Sequence, residues 1–178
     1  MKAMLFAAGL GSRLYPLTSD KPKALVEIMG KTLLQHSIEH LKQFGIKTIV
    51  VNIHHFGEQV LNLLDANNNF NCNIIISDER DGLLETGGGL KKASEHLSGS
   101  ESIVLYNVDV ISNINLNKLK HYHENNSALA TLATRQRRSS RYLLFDDQQQ
   151  LCGWTNTKTA DVKISRESTA LTQYAFKR

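Results

Sequence analysis

Two rhythms of apolar residues alternate along the chain. Lys2–Ala8, Thr48–Asn52, Asn73–Ser77, Ser102–Val108 and Leu129–Thr134 are short runs with the length and aliphatic content of β-strands. Between the first two, Leu33, Leu34, His36, Ser37, Ile38, Leu41 and Phe44 recur at helical spacing, and Gly45 stands where a helix C-terminus takes glycine. Gly57–Leu64 and Leu116–Tyr122 carry the same spacing and predict two more helices. From Tyr142 the rhythm changes, and Tyr142–Asp146 and Leu151–Trp154 read as a hairpin around the polar turn Asp147–Gln150. The tail after Asn156 is polar and weakly patterned until an apolar segment begins at Leu171.

Strands alternating with helices predict an α/β fold with a mixed, mostly parallel, Rossmann-like sheet and helices on both faces. Right-handed crossovers then gather the loops at the strand C-termini along one edge, where open α/β sheets bind ligands. With 178 residues and 41% apolar content, one domain with a substantial core is expected, spanning 1–178. Because the last apolar segment begins rather than closes, that domain reads as incomplete at its C-terminus.

Charge and cysteine content narrow the function classes. Residues 1–100 hold ten Lys+Arg and ten Asp+Glu, so the net charge of +4 arises in the remainder, where Arg135, Arg137, Arg138 and Arg141 cluster. A nucleic-acid footprint needs a broader basic face, so this run reads as a solvated loop or a rim for phosphate ligands. Cys72 and Cys152 lie far apart without metal-ligand spacing, which fits a reduced, cytoplasmic protein. No segment has the length and apolarity of a membrane span, and the short apolar start runs into glycines rather than a cleavage pattern. His54–His55 and the His121/His123 pair do not share a helical face, so metal ligation is not expected of them.

The first strand runs into Gly9-Leu10-Gly11-Ser12-Arg13-Leu14, followed by Lys21-Pro22-Lys23-Ala24-Leu25. Glycines after a first strand let backbone N–H groups approach and cradle phosphate oxygens, and Arg13 and Lys23 add the charge a polyphosphate requires. Leu14 stands where a dinucleotide fingerprint has its third glycine, and the Gly-Lys-Ser/Thr of a Walker loop is absent. Taken alone, Gly9–Leu14 also reads as a tight strand-to-helix turn with surface cations. Further on, Glu85-Thr86-Gly87-Gly88-Gly89 opens a helical pattern, with Thr86 as the expected N-cap. Asn107-Val108-Asp109 closes a strand and sets a carboxylate on the ligand-binding edge, where it suits Mg²⁺ held jointly with substrate phosphates. The plain alternative is that Asp109 only caps the turn that follows.

The whole stretch from Ala7 to Leu14 and on to Pro22-Lys23-Ala24-Leu25 resembles the signature of the sugar-1-phosphate nucleotidyltransferases. Asn52-Ile53-His54-His55, Asp78-Glu79-Arg80 and Glu85–Gly89 resemble most the N-acetylmuramate-1-phosphate uridylyltransferase and mannose-1-phosphate guanylyltransferase groups. The resemblance implies a nucleotide-diphospho-sugar transferase fold. It implies that Gly9, Gly11, Ser12, Glu85, Gly87, Gly88 and Asn107 hold the nucleotide. Arg13 would meet the departing pyrophosphate, Lys23 the α-phosphate, and Asp109 the Mg²⁺. The substrates implied are a nucleoside triphosphate, UTP first, and a sugar-1-phosphate. Family members usually complete the metal site with a second Asp nearer the C-terminus, which this sequence does not reach. Two rivals share the motifs: guanylyl transfer to mannose-1-phosphate, and a nucleotide-binding fragment without turnover.

Overall fold

A computed structural model describes residues 1–99, 102–166 and 171–176. The chain forms two compact units, Met1–Asn117 and Lys118–Arg178.

In the first unit, four parallel strands, β1 (Lys2–Phe6), β4 (Thr48–Ile53), β5 (Asn73–Asp78) and β6 (Ile103–Asn107), pair in the order β5-β4-β1-β6. A two-stranded hairpin, β2 (Glu27–Ile28) and β3 (Lys31–Thr32), turns through Met29 and Gly30, both at positive φ as a tight hairpin turn requires. It delivers the chain to α1 (Leu33–Gln43). Thr32 caps that helix by accepting the Gln35 N–H at 3.1 Å. Gly45 closes it at φ 75, with the Gly45 N–H on Lys42 O and the Ile46 N–H on Leu41 O, the two bonds of a Schellman ending. α2 (Gly57–Ala66) and α3 (Glu85–Leu97) supply the remaining crossovers.

Strand alternation divides the core between two faces. Met4 and Val50 pack with Ala93 and Leu97 of α3, and Phe6, Ile75 and Leu90 border them. Ala3, Leu5, Ile49 and Val51, all 0% exposed, turn to the other face. Chain order and right-handed crossovers put α1 and α2 on that face, with Leu34, Ile38 and Leu41 fully buried. Each such side chain contributes roughly 1.5–3 kcal/mol of burial free energy. The predicted doubly covered parallel sheet is thereby formed.

α4 (Leu116–Asn125) leads into the second unit, an antiparallel sheet. β7 (Thr134–Arg135), β8 (Arg141–Phe145), β9 (Leu151–Asn156), β10 (Asp161–Ile164) and β11 (Thr172–Phe176) pair in the order β10-β9-β8-β11-β7. The predicted hairpin is β8–β9. Its turn is fixed by buried Asp146, whose Oδ1 accepts the Gln150 N–H at 2.8 Å. Three expectations need correction. Leu129–Ala133 forms no strand, because ladder pairing there starts at Thr134 and Leu129 lies fully in solvent. The polar tail contains β10, which pairs with β9 through its backbone while its side chains stay exposed. β1 ends at Phe6 rather than Ala8, for a reason found at the site.

Candidate nucleotide site

The Ala7 and Ala8 N–H groups leave the parallel ladder and donate to Asn52 Oδ1 at 2.7 and 3.3 Å. This ends β1 and turns the chain into the glycine loop. Gly11 adopts φ +67, where a side chain is strained, and a Cβ on it would sit 2.9 Å from Lys23 Cβ and 3.0 Å from Thr18 Cγ2. Its carbonyl accepts the Leu14 N–H at 2.8 Å and the Thr18 hydroxyl at 3.1 Å. The loop therefore folds back onto the Lys23 segment, with Thr18 as a fastener that sequence reasoning did not single out. Gly9 differs: a Cβ there would meet nothing within 4 Å, leaving open space above the strand end. Ser12 and Arg13 stand on the 3₁₀ turn that begins after Gly11, both exposed.

Lys23 begins a second 3₁₀ turn behind extended Pro22, anchored by fully buried Ala24. Its Nζ forms an ion pair with Asp109 Oδ2, joining residues 86 apart in sequence. Asp109 is placed by the end of β6. The Val108 N–H extends the ladder onto Phe6 O at 3.2 Å, and Val108 is 3% exposed with its carbonyl accepting the Ser37 hydroxyl of α1. The Val110 N–H then closes a turn on Asn107 O at 3.0 Å, and Asn107 lies exposed at the strand end. The bulk of Val108 is thus core packing rather than part of the ligand surface. The ion-pair side chains are 17% and 35% exposed, so both charges stay reachable from solvent. Among the described residues no group of three His, Cys, Asp or Glu is arranged to hold a metal. A single carboxylate beside the glycine loop has the chemistry of a Mg²⁺ ligand where the other ligands would come from phosphate and water, so Asp109 would fit that ion.

At the third element the N-cap of α3 is Leu84, without a side-chain cap, and Glu85 enters the helix at φ +58. Thr86 is therefore not the cap. The cap function passes to Glu79, whose Oε2 accepts the Leu84 N–H at 3.2 Å, a carboxylate at the positive end of the helix. The glycine triplet divides by environment. Gly87 is exposed with nothing within 4 Å of a Cβ; on Gly88 a Cβ would press on Leu84 Cβ at 2.9 Å; on Gly89 it would meet Glu79 Oε1 at 2.7 Å. Gly87 leaves the most room for a ligand, Gly88 less, and Gly89 is required by packing.

Glu79 is 1% exposed and Asn52 3%. Asn52 Nδ2 donates to Glu79 Oε1 at 2.8 Å, and His54 Nδ1 lies 2.6 Å from Glu79 O. The sequence marked these residues only as part of a family motif. A polar Asn ending an otherwise apolar strand was the available signal. α1 and residues 110–115 border a cleft lined by His36, Glu39, His40 and Tyr106. Burial there holds the His40 imidazole below its usual value of 6.5.

A four-stranded parallel sheet with a glycine loop, a lysine and a carboxylate gathered on its C-terminal edge defines an α/β protein with its candidate site on the edge where open α/β sheets bind ligands. The chain belongs to the nucleotidyl transferase family, which matches residues 2–149. It is 46% identical over 111 residues to N-acetylmuramate alpha-1-phosphate uridylyltransferase of Caulobacter vibrioides, covering 61% of this chain and 46% of the relative. It is 36% identical over 135 residues to a probable mannose-1-phosphate guanylyltransferase of Oryza sativa, covering 74% and 37%. The crystal structure of HddC from Yersinia pseudotuberculosis complexed with GMP-PN shares the fold, with a TM-score of 0.71 at 22% identity, covering 87% of this chain and 68% of that one. The chain spans about half the length of the curated uridylyltransferases it matches.

Proposed function

We propose that this chain carries the nucleotide half of a sugar-1-phosphate uridylyltransferase, acting in the cytoplasm on UTP and N-acetylmuramate-1-phosphate. The observation that carries the reading is the Lys23–Asp109 ion pair set against the glycine loop. It gathers one cation and one carboxylate where α-phosphate and metal are needed. In the reaction, a phosphate oxygen of the sugar-1-phosphate bonds to the α-phosphorus of UTP. The bond from that phosphorus to the bridging oxygen breaks, and pyrophosphate leaves with the electron pair. A phosphate monoester with a second pKa of about 6 is already largely dianionic at neutral pH, so the nucleophile needs no general base. The protein's task is positioning and neutralisation of charge.

Gly9 and Gly87 leave space for backbone approach to the nucleotide, and Gly11 holds the loop on the Lys23 segment. Lys23 moves from Asp109 to the α-phosphate, which frees the carboxylate. Asp109 would hold Mg²⁺, which supplies further charge neutralisation on the phosphates when bound. Arg13 and Ser12, on the first turn, meet the leaving pyrophosphate and the nucleotide. Glu85, Gly88 and Asn107 complete the nucleotide surface.

The uridylyl reading is preferred because identity to the uridylyltransferase reaches 46%, against 36% for the guanylyltransferase. Calorimetric titration with UTP, GTP, dTTP, CTP and ATP, each with Mg²⁺, tests it. UTP is expected to bind tightest. Preference for GTP would overturn the uridylyl assignment, and failure of all five would overturn the site.

A further inference from the structure

Glu79 is a carboxylate at 1% exposure whose hydrogen bonds run to neutral groups, the Asn52 amide and the Leu84 N–H. A buried carboxylate is costly unless its lone pairs are satisfied, and here the bonds that satisfy it also tie together separate segments of the chain. At one end the Ala7 and Ala8 N–H groups enter the glycine loop. At the other, Leu84 begins α3, whose first turn carries Glu85 and Gly87. Asn52 sits between them, opposite Phe6 in the sheet register. Its amide has one workable orientation: Oδ1 takes the two backbone donors, and Nδ2 gives to the carboxylate. Gly89 lets the carboxylate lie against the helix, since a Cβ there would fall 2.7 Å from Glu79 Oε1.

We infer that Asn52 and Glu79 are positioning residues that lock the phosphate-binding loop and the α3 loop into one mutual geometry. Triphosphate and nucleoside are then bound by a single preorganised surface rather than by two independent loops. The inference rests on the nucleotide-site reading above. It makes a specific demand: altering Glu79, which is joined to the start of the glycine loop through Asn52, must weaken binding of pyrophosphate alone.

The polarity of the pair provides the test. In Glu79→Gln, the new amide points a donor at either Asn52 Nδ2 or the Leu84 N–H. In Asn52→Asp, two carboxylates face each other. The double variant, Asn52→Asp with Glu79→Gln, restores every bond. The carboxylate introduced at position 52 accepts from Ala7, Ala8 and the new side-chain amide at position 79, while the carbonyl of that amide accepts from Leu84. At a temperature where circular dichroism shows all four proteins folded, affinities for Mg²⁺–UTP and Mg²⁺–pyrophosphate are measured by calorimetry. Each single substitution is expected to weaken both ligands about tenfold, and the double to return within about threefold of the wild type. A role confined to stability would lower the melting temperature and leave these affinities unchanged. Folded single variants that bind both ligands like the wild type, or a double variant no better than its singles combined, would overturn the inference while leaving the functional reading intact.

Amide hydrogen exchange at Ala7 and Ala8 separates the two failures. Faster exchange in Glu79→Gln is expected whether or not a nucleotide binds. Unchanged exchange overturns the coupling, whereas a wild type that binds no nucleotide overturns the functional reading alone.

Discussion

Gly9 and Gly11 stand two apart in one loop and answer to different constraints. Gly11 combines φ +67 with a Cβ position 2.9 Å from Lys23 Cβ, so Gly11→Ala must both strain the backbone and push away the Lys23 segment. The left-handed backbone alone costs roughly 1–2 kcal/mol, and calorimetric unfolding should show at least that loss together with weakened UTP binding. Gly9→Ala is expected to leave the melting temperature within about a degree or two and to reveal its effect only when ligand is titrated, because open space surrounds that position. The glycine pattern was legible in the sequence, and so were Lys23 and Asp109. Which glycine is steric and which is spacious was not, since the deciding neighbours, Lys23 Cβ and Glu79 Oε1, come from other segments of the chain.

His40 supplies a titration at the same scale. Burial lowers its pKa, so the folded protein binds fewer protons than the unfolded chain once the pH drops below the ordinary value of 6.5. Its contribution is present in full above 6.5 and is lost as the pH falls from there to the lowered folded value. Melting temperatures measured between about pH 7.5 and pH 5 should therefore fall less steeply in His40→Asn than in the wild type, with His36 and Glu39 common to both. Equal slopes would mean that His40 titrates as it does in water.

At the scale of elements, legibility followed the strength of the pattern. α1 was readable from its apolar stripe and from Gly45, and both ends close as those residues require. Thr32→Ala removes the bond to the Gln35 N–H and is expected to cost about 1 kcal/mol in denaturant unfolding. No loss at all would mean that water replaces the cap without penalty. Leu129–Thr134 misled because its aliphatic and threonine content has the composition and length of a strand, while a strand also requires a partner ladder, which there begins at Thr134. β10 was missed for the converse reason. Asp161-Val162-Lys163-Ile164 does alternate, but over four residues only and with Val162 and Ile164 both exposed, and it is held by backbone bonds to β9, where Gly153 lets the Lys163 carbonyl occupy the space a Cβ would need. The start of α3 eluded sequence reasoning because its cap is the carboxylate of Glu79 on the preceding loop, and no residue at the usual capping position announces it.

At the scale of the molecule, every residue assigned to the nucleotide site lies within the first compact unit, while the family match continues to residue 149 in the second. Lys23 and Asp109 meet at the C-terminal edge of the parallel sheet, the edge at which right-handed crossovers were expected to gather the loops. The central claim is that this pair is the place where nucleotide and metal bind. The most direct measurement is the melting temperature with and without Mg²⁺–UTP, in the wild type and in Lys23→Ala and Asp109→Ala. At about 100 times the dissociation constant, UTP should stabilise the wild type by roughly 2.7 kcal/mol. Most of that gain should vanish in Lys23→Ala, and its Mg²⁺-dependent part in Asp109→Ala. The full gain in both variants would place the nucleotide elsewhere and contradict the account.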